Sequence, residues 1–71
     1  MAKSVRVVVG QRIRELREKK GWSQEKLAEE ADLHRTYIGQ VERGEKNIGV
    51  ENLVRIAAAL GSTAADVLRG I

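Results

Sequence analysis

Cysteine and proline are both missing from these 71 residues, and Trp22 and Tyr37 are the only aromatic side chains. Without cysteine there is neither a disulfide framework nor a thiolate metal site, and a reducing cytoplasm is the compartment to expect. Long apolar runs are missing too. The longest, Val7 to Val9 and Ile56 to Leu60, fall far short of the roughly 20 residues that cross a bilayer. No signal-peptide core precedes a small-residue cleavage site, so export is not expected. The lone histidine, His34, is a poor metal ligand by itself. No metal and no cofactor are expected.

Enzyme signatures are equally scarce. There is no Ser-His-Asp set at plausible spacing, no HExxH and no dinucleotide fingerprint. Gly39 and Gly44 have phosphate-loop spacing, but Glu45 stands where that loop needs lysine, and a helical pattern runs through the segment.

What remains suits a small soluble helical protein. Apolar residues make up 42% and charged residues 32%, and a chain of this length has enough apolar material for one core. A single domain over residues 1–71 is expected. The net charge of +3 favours an anionic partner without naming it.

The apolar spacing predicts five helices. Val5, Val9, Ile13 and Leu16 line one face of the first, with Gly21 as its left-handed stop. Ser23 caps the second, followed by Gln24, Glu25, Leu27 and Ala28. A short third helix turns Tyr37, Ile38 and Val41 inward and stops at Gly44. Val50, Leu53, Val54, Ile56, Ala57 and Leu60 give the fourth a broad apolar face that ends at Gly61, and Thr63 with Asp66 forms a capping-box variant for the last. On this reading all seven glycines punctuate helices.

From about residue 23 to 43 the pattern fits two helices that cross sharply. Leu27, the small Ala28, Leu33, Ile38 and Val41 fill the inside, leaving Arg35, Thr36, Gly39, Gln40 and Arg43 outward. Arg35 falls in the first turn of its helix, where a cation is unfavourable against the dipole. Such a broken local rule points to function. In a major groove that arginine can donate twice to guanine, a contact worth about 1–3 kcal/mol of discrimination, while Gln40 can pair with adenine and Thr36 can offer a methyl to thymine.

The segment SQEKLAEEADLHRTYIGQVERG, with IRELREKKGWSQ overlapping its start and ENLVRIAAALG after it, resembles the phage repressor and Cro-like helix-turn-helix proteins. The resemblance implies an all-α, five-helix, lambda-repressor-like DNA-binding domain. Asp32 departs from it, standing where the family commonly has glycine in a left-handed turn. Within the family, HRTYI and ERGEKNI look most like the controllers of restriction-modification genes; the same stretch is similar to prophage repressors and to antitoxins that repress their own operons.

That likeness implies a regulator of transcription. Gln24 would anchor a phosphate at the start of its helix, Tyr37 would offer its hydroxyl to another, and Arg17 would pair with Glu42 to orient the reading helix. Arg43, Lys46 and Asn47 are candidates for phosphate contact on the far side. Trp22 is expected to cover the junction of the first two helices.

One such domain spans only a few base pairs, so two copies on a palindrome are expected, with half-sites about one helical turn apart. Val50, Val54, Val67, Leu68 and Ile71 offer apolar surface for that dimer, in a region of about residues 48–71. Double-stranded DNA, a second copy of the chain and RNA polymerase are the partners to expect. A competing role, as an antitoxin or other interaction module using this fold on a protein, remains open at this point.

Overall fold

A computed structural model describes residues 4–71. Five helices run through them: α1 (Val5–Lys19), α2 (Gln24–Ala31), α3 (Arg35–Glu42), α4 (Val50–Ala59) and α5 (Ala64–Leu68). No strand occurs among the described residues. The expected all-α architecture is the one observed.

Helix ends follow from local chemistry. Ser4, Ser23 and Thr63 each accept a hydrogen bond from a backbone amide in the first turn of α1, α2 and α5, and His34 does so for α3 through Nδ1. At the other ends, Trp22, Leu33, Glu45 and Ser62 each donate a backbone N–H to the carbonyl five residues earlier. Closing that ring requires a left-handed residue just before the donor. Glycine fills the position at Gly21, Gly44 and Gly61, and Asp32 fills it after α2 with φ 57°. The turn thus keeps its geometry with an aspartate, at the steric cost of a Cβ in the left-handed region. The capping box of α5 is half formed. Asp66 N–H reaches Thr63 Oγ1, whereas the Asp66 carboxylate takes Ser62 and Arg69 as partners.

The core gathers Val9 and Ile13 from α1, Leu27, Ala28 and Ala31 from α2, and Ile38 and Val41 from α3. Leu53, Ile56 and Ala57 from α4, with Leu60, close it beside Val67 of α5. The helix α3 packs on both α1 and α2, α4 packs on α2 and α5, and α5 returns to α1. Arg12 of α1 donates to the carbonyls of Val67 and Arg69, fastening the end of α5.

Several expectations change. Val67 is only 1% exposed: its side chain completes the core, so it is not available to a second copy. Val5, expected on the inward face of α1, is exposed, and so are Val50 and Val54, read both as part of the apolar face of α4 and as surface for a second copy, Val50 to 80%. Val5 and Val50 are the first residues of their helices, and Val54 falls outside the inward arc of Leu53, Ile56 and Ala57 on α4. Gly10 and Gly39 do not punctuate helices but lie within α1 and α3.

Gly10 has a packing reason. An added Cβ would lie 2.2 Å from the Val41 carbonyl oxygen and 2.9 Å from that of Glu42, backbone atoms that cannot step aside. Glycine therefore sets how closely α1 crosses the end of α3. Gly10→Ala is expected to lose about 3 kcal/mol of stability by overpacking in urea unfolding at neutral pH; a loss under about 0.5 kcal/mol would contradict this account of the crossing.

Candidate nucleic-acid interface

The carboxylate of Glu42, at the last turn of α3, is buried to 2% side-chain exposure. A charge removed from water needs partners, and three side-chain bonds supply them. Arg17 of α1 donates through Nε to Oε2 at 2.7 Å and through Nη2 to Oε1 at 2.9 Å. Gln24 of α2 donates through Nε2 to Oε1 at 3.0 Å. The two-pronged bond that Arg17 donates to Glu42 holds the Arg17 pKa above its ordinary value, against the opposing effect of burial. Arg17 also donates to the Trp22 carbonyl at 2.7 Å, so the α1–α2 corner joins the same network. Trp22 packs half-buried on the core there, with Lys20 Nζ 4.8 Å from its ring centroid.

This network orients Gln24. A carboxylate accepts and does not donate, so the amide nitrogen must face Glu42 and the oxygen must face away. The outward oxygen lies over Gly39, 3.4 Å from where a Cβ would stand.

Arg35, Thr36 and Arg43 are exposed along α3, as expected, and Gln40 is half-buried. Lys46 and Asn47 are exposed in the loop that follows. Gly39 differs from expectation: it faces the same side but is covered by the Gln24 and Arg43 side chains. Tyr37 is half-buried against the core, and its hydroxyl oxygen accepts from Asn52 Nδ2 at 3.2 Å. That bond ties α3 to α4 and leaves the phenolic hydrogen free to donate.

Sequence reasoning missed two carboxylates. Arg35 Nη1 lies 3.1 Å from Glu25 Oε2, with both side chains about two-thirds exposed. Arg43 Nε lies 2.8 Å from Glu45 Oε2, also exposed. Glu25 offsets part of the unfavourable dipole at Arg35. The bond from Arg43 pulls the Glu45 carboxyl below its ordinary range, so this pair persists at neutral pH and is lost only as pH falls through that lowered value. Exposed pairs of this kind contribute little to stability, so each guanidinium can exchange its carboxylate for a stronger acceptor. The acidic first turn of α2 was visible in the sequence; its reach to Arg35 was not.

A family model described as helix-turn-helix matches residues 13–67, a span that contains the whole α2–α3 unit. The chain belongs to the helix-turn-helix family. It is 46% identical over 69 residues to control protein C.BamHI of Bacillus amyloliquefaciens, across 96% of this chain and 85% of that one. Control protein C.SmaI of Serratia marcescens is 39% identical over 64 residues, covering 90% of this chain and 76% of its own. Among solved structures, the restriction-modification controller protein C.AhdI from Aeromonas hydrophila superposes with a TM-score of 0.85 at 45% identity, over 87% of this chain and 94% of that one. These relatives mark the chain as a DNA-binding regulator of transcription and not an enzyme. No helix among the described residues is long and apolar enough to cross a membrane.

The buried pair generates a sharp expectation. Arg17→Met or Glu42→Leu alone leaves an unpaired charge and is expected to lose about 3 kcal/mol, whereas the double replacement loses clearly less than the sum. Additive losses in chemical unfolding would show that the two side chains do not act as a pair.

Proposed function

We propose that the protein controls the genes of a restriction-modification system, binding a palindromic operator as a homodimer with α3 in the major groove. The observation that carries this reading is the exposure of Arg35 and Thr36 on the first turn of α3, in a chain similar over nearly its whole length to control proteins. Recognition helices present their amino-terminal residues to base edges. Arg35 reads guanine, Thr36 and Gln40 touch neighbouring bases, and Gln24, Tyr37, Arg43, Lys46 and Asn47 hold the flanking phosphates. The protein acts inside a bacterial cell, with RNA polymerase at the same promoter as its further partner.

The dimer forms through Val50 and Val54 of α4 together with Leu68 and Ile71 at the carboxyl end. All four side chains are exposed, and α4 and α5 pack against each other. Apolar area of this kind is costly in water and is removed by a second copy. Sedimentation at micromolar concentration, with and without duplex, is expected to give a dimer. Monomer under both conditions would remove this part of the reading.

Base and phosphate roles separate by mutation. Selection of duplexes from a random pool at fixed salt is expected to yield an inverted repeat. Arg35→Ala relaxes preference at one position per half-site, by about tenfold or more, whereas Lys46→Ala weakens all duplexes alike and lowers the salt dependence. The reverse pattern would overturn the assignment of roles.

A further inference from the structure

A glycine inside a helix weakens it by roughly 0.5–1 kcal/mol relative to alanine, so an interior glycine calls for a reason. Gly10 has one in the carbonyl oxygens that cross it. Gly39, inside the eight-residue α3, has no such neighbour. A Cβ there would meet Arg43 Nη1 at 3.1 Å, the end of a flexible, exposed side chain that can swing away, and Gln24 Oε1 at 3.4 Å, an ordinary contact distance. Packing of the fold therefore does not require glycine at this position.

Gly39 forms the floor of an open concavity of about 500 Å³ whose walls are Ser23, Gln24, Glu25, Arg35, Thr36 and Arg43. Apart from the Thr36 methyl, the walls are polar. Two guanidinium groups and two hydroxyls supply donors suited to a phosphate oxygen, while Gln24 presents its acceptor oxygen there. The one carboxylate, Glu25, is already engaged by Arg35.

We propose that Gly39 is a positioning residue for DNA. Its missing Cβ lets the Arg43 guanidinium lie close over α3 beside the Gln24 amide oxygen, where a backbone phosphate of the duplex accepts from that guanidinium. This rests on the reading that α3 faces the duplex. Phosphate contacts set position and carry no sequence information directly, so crowding this floor lowers affinity for every sequence equally.

The test compares wild type with Gly39→Ala by fluorescence anisotropy at fixed salt. The probes are a duplex that the wild type selects from a random pool and an unrelated duplex of the same length, and thermal unfolding is followed in parallel. The expected result is a Tm equal to or above that of wild type, affinity for both duplexes reduced about tenfold, and an unchanged ratio between them. Adding Gly39→Ala to Arg43→Ala, where the crowded side chain is already gone, is expected to weaken binding less than Gly39→Ala does alone. Unchanged affinity, a loss confined to the selected duplex, a Tm below that of wild type, or a full additive loss in the double variant would each overturn the proposal. A wild type that binds no duplex would sink the DNA reading and this inference with it, whereas a wild type that binds, beside a Gly39→Ala variant that binds equally well, would overturn the inference alone.

Discussion

A buried carboxylate constrains the whole molecule. Glu42 sits where water cannot solvate it, and an unpaired charge in such a place is strongly destabilising. Its partners come from two other helices: Arg17 from α1 and Gln24 from α2. The fold is stable in this form only when α1, α2 and α3 stand where those three side chains can meet. The pair fixes the end of α3 against α1, and Gly10 lets the two backbones come close enough for it to form.

The consequence at the surface is preorganisation. Gln24 has its amide nitrogen committed to Glu42, so its oxygen is held outward. Arg35 and Arg43 are held more loosely, each by an exposed carboxylate, and such pairs exchange at little energetic penalty. The same chemical pairing therefore serves two purposes, distinguished by burial. Inside, it locks the helices; outside, it steadies long side chains that, in the proposed complex, a phosphate or a base edge would take over from the carboxylate.

Much of this was legible in the sequence because the relevant signals are local. Left-handed stops at Gly21, Gly44 and Gly61, the caps at Ser23 and Thr63, and the inward arc of Leu27, Ala28, Ile38 and Val41 depend on residues within a turn or two of one another. Asp32 is placed in its left-handed turn by the family resemblance, whose pattern commonly has glycine there. What escaped depends on the phase of a helix against distant elements. Val67 and Leu68 are adjacent and equally apolar, yet Val67 is buried while Leu68 is exposed, a difference decided by how α5 lies on α1 and α4. Gly10 and Gly39 read as breaks because glycine is a weak helix former; only the tertiary structure reveals the carbonyls over one and the polar side chains over the other. The bonds of Arg35 to Glu25 and of Tyr37 to Asn52 likewise join helices whose relative placement no local pattern carries.

The most direct measurement is an NMR titration of the isotope-labelled protein with a selected duplex at fixed salt. The account predicts large shifts at Gln24, Arg35, Thr36, Gly39, Gln40 and Arg43, while the buried Arg17 guanidinium keeps its resonance and its protection from exchange. Shifts confined to α4 and α5, or an Arg17 signal that broadens and exchanges as DNA is added, would contradict a reading helix held rigid from beneath by Glu42.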